Sequence, residues 1–198
     1  MMKLVFASNN EHKLREIVSL LPASITVLSL KNAGVQRELE EPFDTLEKNA
    51  EAKARAIYES TGLDCFSEDT GLEVDVLDGQ PGVYSARYAG PGASTEDNIE
   101  KLMAELRHKE NRIASFRTVM HLIIQGKNYC FEGRCPGKIS RERKGGEGFG
   151  YDPVFIPDGT TKSFAEMRMD EKNLFSHRKK ALMGLVNFLN DNTVKKEY

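Results

Sequence analysis

Along this chain the apolar positions alternate between the period of a strand and the period of a helix. Residues 3–7, KLVFA, are a short apolar run. Behind them Leu14, Ile17, Val18 and Leu21 fall at i, i+3, i+4 and i+7, so the spacing predicts a strand that feeds a helix through the turn Ser8, Asn9, Asn10. Pro22 ends that helix, and residues 25–30, ITVLSL, read as a second strand. A β-α-β opening of this kind argues for a sheet covered by helices.

Further on, Asp44 with Glu47 three residues later reads as a capping box. It opens a helix whose inward stripe is Leu46, Ala50, Ala54 and Ile57 and whose stop is Gly62. Residues 63–67, LDCFS, form the strand that delivers Glu68 and Asp69, and Thr70 with Gly71 reads as a turn. Residues 72–77 alternate, with Leu72, Val74 and Val76 on one face. A long Gly- and Pro-rich loop fills 78–93. Ser94 and Asp97 cap a further helix with the stripe Ile99, Leu102, Met103 and Leu106. IASFRTVMHLII and NYCFEGRC read as long antiparallel strands joined at QGKN, which makes the sheet mixed. A basic, glycine-rich passage at 140–152 leads into a short strand. The last helix spans roughly 174–190 with Leu182, Leu185, Val186 and Leu189 inward, and residues 193–198 read as a frayed tail.

With 198 residues, 39% hydrophobic and 29% charged, the chain has the makeup of an ordinary globular protein, here expected as one domain, 1–198, divided into two lobes. Its formal net charge of -2 gives no bulk attraction to nucleic acid, so any anion must be caught locally. The odd cysteine count, Cys65, Cys130 and Cys135, reads as reduced thiols. No run approaches the length needed to cross a bilayer, and the expected location is cytoplasmic.

Five groups of residues carry candidate chemistry. At SNNEHK the unpaired N–H groups of a strand-to-helix turn favour an anion, with Ser8, Asn10 and Lys13 as added donors; the other reading is plain helix capping. Lys53 lies close to a buried stripe and either reaches a cleft or covers the core edge with its stem. Glu68 and Asp69 are adjacent, so in a strand they face opposite ways; one Asp here with one Glu from the acidic stretch ELEE suits a hard divalent cation such as Mg2+, and a solvated turn is the other reading. In GGEGFGYDPVF the ring of Phe149 between glycines is either a stacking platform for a base or a core plug, with Asp152 nearby. EKNLFSHRKKAL places Lys172, Ser176, His177 and Arg178 about a helix start, where cations call for a bound anion or neighbouring carboxylates. Neither HExxH nor GxSxG is present.

Taken in order, SNNEHK, FSEDTGLEVDVLDGQPGVYSARYAG, GEGFGYDPVF and SFAEMRMDEKNLFSHRKKAL closely resemble the inosine triphosphate pyrophosphatase family, over nearly the whole chain. The resemblance implies a mixed α/β fold with two lobes around a central cleft, working as a homodimer. It also implies Mg2+-dependent hydrolysis of ITP, dITP and XTP to the monophosphate and pyrophosphate, which clears deaminated purines from the nucleotide pool. Residue by residue, Ser8, Asn10, Lys13 and Lys53 resemble phosphate contacts, with Lys13 catalytic. Glu41 and Asp69 resemble the metal carboxylates, with Asp69 the base for water and Glu68 a supporting acid. Phe149 resembles the stacking ring, Asp152 and Lys172 pocket residues, and Ser176, His177 and Arg178 the purine readers. Asn9 stands where a glycine is frequent, Lys48 where glutamate is common, and Tyr151 where some members carry tryptophan. A pyrimidine-directed house-cleaning pyrophosphatase and a non-catalytic nucleotide sensor are the alternative readings.

Overall fold

The computed structural model describes residues 2–36 and 39–194, with side chains through residue 191. Glu38 of the acidic stretch and residues 195–198 of the expected tail lie outside the described residues. In chain order the elements are β1 (Met2–Phe6), α1 (Glu11–Leu20), β2 (Ile25–Leu28), α2 (Leu46–Thr61), β3 (Cys65–Val74), β4 (Pro81–Gly82), α3 (Thr95–Glu105), β5 (Ile113–Ile124), β6 (Lys127–Ile139), β7 (Phe155–Pro157), α4 (Met169–Phe175) and α5 (His177–Val194).

The strands make a mixed sheet in the order β2-β1-β3-β5-β6-β7, with β4 added on β3. β1 runs parallel to β2 and β3, while β4 is antiparallel to β3 and β7 to β6. β5 and β6 are joined through Gln125 and Gly126, both at positive φ, the turn whose twist matches that of the flanking strands. The expected mixed α/β class is therefore the observed one.

The chain resolves into two compact units. One comprises the residues up to Asp69, Thr118–Gly133 and the residues from Arg178 on; the other comprises Thr70–Arg117 and Arg134–His177. In the first unit strand alternation feeds two clusters. Leu4, Phe6 and Phe66 pack with Ile17 of α1 and Leu182 and Leu185 of α5. Val5, Ala7 and Cys65 pack with Ala54 and Ile57 of α2. The second unit has its own cluster, in which Leu72 and Val74 meet Ile99, Leu102 and Leu106 of α3 and the rings of Phe116, Phe155 and Phe164.

Several expectations are corrected. Val18 is 55% exposed, and Glu16 takes its place on the inward side of α1 because a buried cation meets it there. Thr45, not Asp44, caps α2, its hydroxyl accepting from the Lys48 N–H at 3.3 Å. The expected single helix over 174–190 begins earlier and is broken at Ser176 between α4 and α5. Thr70 and Gly71 do not turn: β3 runs on to Val74, and Asp75–Leu77 is a single 3-10 turn that takes Val76 off the strand.

Gly71 is needed for close approach. A Cβ there would sit 2.5 Å from the carbonyl oxygen of Gly82 across the β3–β4 ladder, and backbone cannot yield as a side chain can. Gly71→Ala is therefore expected to lower the unfolding free energy by about 1–3 kcal/mol. Urea melts of the two proteins check this; a midpoint equal to wild type would show that β4 does not press on β3.

Candidate active site

β3 explains why two acids stand side by side. Phe66 faces the α1 and α5 layer, while the Ser67 hydroxyl donates to the Ala50 carbonyl oxygen of α2 at 2.5 Å. Alternation then sends Glu68 toward α1 and α5, and Asp69 toward α2. Each buried carboxylate meets its own buried cation.

Glu68 is fully buried and receives the Arg178 guanidinium through Nε at 2.8 Å and Nη2 at 2.9 Å, with the Lys13 ammonium at 3.1 Å. The remaining Arg178 arm, Nη1, donates to Glu16. Burial alone would raise the Glu68 pKa, but Arg178 and Lys13 outweigh it and hold the carboxyl well below the usual carboxylate range. Arg178 is correspondingly held above its ordinary value, burial being outweighed by Glu68 and Glu16. In this group two acids meet two cations.

On the other face the Lys53 ammonium donates to Asp69 Oδ1 at 3.0 Å and to Glu41 Oε1 at 2.5 Å. Burial raises the Asp69 pKa, Lys53 lowers it and Glu41 raises it, leaving a net upward shift. Glu41 is shifted down, because Lys53 overcomes its burial. In these contacts two acids share one cation, and the charge of Lys13 acts on both of them. The second Asp69 oxygen, Oδ2, is buried and takes no hydrogen bond. An ionised oxygen without a donor costs free energy in a dry site, and a cation placed against it removes that cost.

Those features fit the Mg2+ inferred above. Among the described residues no group of three or more His, Cys, Asp and Glu forms a ready-made cage. Mg2+ asks for less, one or two carboxylates with the remaining positions filled by water and substrate phosphates. Glu41 and Asp69 are the residues that would hold it.

At the head of α1, Asn10 is the N-cap, its Oδ1 accepting from the Lys13 N–H at 3.1 Å, and Ser8 Oγ accepts from the Asn10 N–H at 3.2 Å. Capping is thus an observed role of this turn. Asn9 keeps a negative φ, so no glycine is called for there.

The second unit carries the aromatic group. Asp152 accepts from the Phe149 N–H at 2.9 Å and from the Lys172 ammonium at 2.8 Å, which clamps the turn that presents Phe149. Gly148, at φ +79, gives Asp152 its room: a Cβ would lie 2.1 Å from Asp152 Oδ2. Lys172 Nζ lies 5.1 Å from the Phe149 ring centroid. His177 is buried with its ring stacked on Phe116 at 4.7 Å, and the neighbouring Ser176 N–H donates to the Lys172 carbonyl. Tyr151 is buried and bonds the Ser85 carbonyl. Lys48 is exposed on α2.

The structure therefore joins Lys13, Glu68 and Arg178 in one network, Lys53, Glu41 and Asp69 in a second, and Phe149, Asp152 and Lys172 in a third. Sequence reasoning missed Glu16, although its position three residues after Lys13 and directly before inward Ile17 was a usable sign. It also missed Asn49, whose buried side chain bonds the backbone of Phe43.

The family model described as the Ham1 family matches residues 4–188. A dITP/XTP pyrophosphatase of Flavobacterium johnsoniae is 48% identical over 95% of this chain and 98% of its own length. One of Porphyromonas gingivalis is 47% identical over 96% of this chain and 98% of its own. The solved structure of a HAM1 protein from Coxiella burnetii superimposes with a TM-score of 0.88 at 36% identity, covering 96% of this chain and all of that one.

Removing the guanidinium should expose how Glu68 is held. Arg178→Gln is expected to cost about 3–5 kcal/mol at neutral pH, the penalty for stranding a buried carboxylate. In wild type the stabilisation from Glu68 is fully present above its ordinary pKa of 4.5 and is lost as pH falls from there through its depressed folded value. In the variant the carboxyl takes up a proton at higher pH, so the deficit should narrow as pH falls toward 4.5. Urea unfolding across that range reads it; a constant deficit would mean that Glu68 does not depend on Arg178.

Proposed function

The chain belongs to the Ham1 family, and from that membership we propose that it hydrolyses non-standard purine nucleoside triphosphates, ITP, dITP and XTP, to the monophosphate and pyrophosphate. Relatives at 47–48% identity that cover nearly the whole chain carry the name dITP/XTP pyrophosphatase. The observation that carries the reading onto these residues is the buried Asp69 oxygen without a donor, beside Lys53 and Glu41 and under the charge of Lys13.

In the proposed reaction Ser8, Asn10, Lys13 and Lys53 take the phosphate chain, aided by the positive end of the α1 dipole. Asp69 accepts the proton of a water that attacks the α phosphorus, a role suited to a carboxyl whose pKa burial raises. The bond from the α phosphorus to its bridging oxygen breaks, and pyrophosphate leaves with its charge met by Lys13 and Lys53. Mg2+, held by Glu41 and Asp69, would supply further charge neutralisation on the phosphate oxygens. Glu68 fixes the Lys13 ammonium. Arg178, expected above among the purine readers, has its guanidinium on Glu68 and Glu16 and supports Lys13 through Glu68.

For the base, Phe149 is the proposed stacking ring, Asp152 and Lys172 line its pocket, and Ser176 and His177 read the 6-oxo group. A donor satisfied by a 6-oxo acceptor is left facing a donor in adenine, which costs roughly 1–3 kcal/mol. Homodimer formation, Mg2+ dependence and a cytoplasmic location belong to the same proposal and are supported by family membership. No helix among the described residues is long and apolar enough to cross a membrane.

With ITP in 18O-labelled water, one labelled oxygen is expected in IMP and none in pyrophosphate. Release of IDP and phosphate would contradict the reading. Asp69→Asn should fold normally yet lose about 10² to 10⁴ in kcat; turnover near wild type would remove Asp69 from its role. Equal kcat/KM for ITP and ATP would defeat the donor assignment.

A further inference from the structure

Glu41 stands on a stretch that no buried side chain anchors. From residue 40 to 45 no side chain is buried, and Phe43 itself is 43% exposed. Hydrophobic packing therefore does not place this segment between Leu39, which packs against the α2-side cluster, and Leu46 at the start of α2. Its backbone is met by Asn49, while its Glu41 carboxylate is met by Lys53. The Asn49 side chain is fully buried, its Oδ1 accepts from the Phe43 N–H at 2.9 Å, and its Nδ2 donates to the Phe43 carbonyl oxygen at 3.0 Å. An amide that satisfies both polar groups of one residue fixes the position and the direction of that backbone, as a rung of a sheet ladder would.

The clamp sits two residues after Glu41, and on α2 Asn49 lies four residues before Lys53, one turn away on the same face. One helix thus holds both the backbone that carries Glu41 and the ammonium that receives its carboxylate. We infer that Asn49 is a positioning residue for the metal-binding carboxylate: by gripping Phe43 it aims Glu41 at the bare Asp69 oxygen, and it touches neither substrate nor metal itself. The inference rests on the carboxylate pair acting as proposed above. Supporting groups around metal ligands commonly matter by about 10–100-fold in metal affinity or activity.

The test measures Mn2+ binding by electron paramagnetic resonance in the presence of a non-hydrolysable α,β-imido inosine triphosphate, alongside thermal melts. Asn49→Ala is expected to raise the Mn2+ concentration for half-saturation about tenfold, and to do so in folded protein. In a Glu41→Gln background the same substitution should change Mn2+ binding less than about twofold, since its effect passes through Glu41. If Asn49→Ala fails to fold, Asn49→Asp is read the same way, because it keeps the acceptor for the Phe43 N–H and loses the donor to the Phe43 carbonyl. A destabilised variant with wild-type Mn2+ affinity, or an equal loss with and without Glu41, overturns the inference. Failure of the wild-type protein to bind Mn2+ with this analogue would instead overturn the functional reading beneath it.

Discussion

Two neighbouring residues of a buried strand cannot look the same way, and the candidate site follows from that constraint. Having placed Glu68 and Asp69 in succession on β3, the chain had to supply a buried cation on each face of the strand. On the face of α1 and α5 these are Lys13 and Arg178; on the face of α2 it is Lys53. Three helices from distant parts of the sequence are thereby tied to one stretch of backbone in the first unit.

The two faces are not balanced alike. Around Glu68 the contacts pair two acids with two cations, and the carboxyl is held ionised. Around Asp69 two acids share one lysine, and an oxygen is left without a donor. A closed ion-pair group serves to fix geometry, whereas a buried carboxylate oxygen without a donor is stabilised by a cation placed against it. Buried ion pairs add little net stability over apolar packing. Their retention here accords with the function proposed above, in which Glu68 orients Lys13 and Asp69 acts on water.

Much of the framework was legible because it follows from local rules. Asn10 in its turn, Gly62 at a helix end, the Ser94 capping box and the stripe of α2 each depend on residues a few positions apart. The opposed directions of Glu68 and Asp69 also followed, since strand alternation is local. The errors arose where distant parts meet. Thr70 and Gly71 have the chemistry of a turn, yet pairing with β4 keeps them in a strand. Val18 fits the helical period better than Glu16, but the buried Arg178, 162 positions away, reverses their places. Asn49 gave no signal because its partner is the backbone of Phe43, and backbone groups are the same at every position.

The central claim is that Asp69 and Glu41 together receive a divalent cation that accompanies the phosphate chain. Crystals grown with Mn2+ and a non-hydrolysable inosine triphosphate analogue, measured at the manganese absorption edge, test it most directly. The expected result is an anomalous peak bound by Asp69 Oδ2 and the Glu41 carboxylate. A peak held by other residues, or a nucleotide bound with both carboxylates still on Lys53 and no metal beside them, would contradict it.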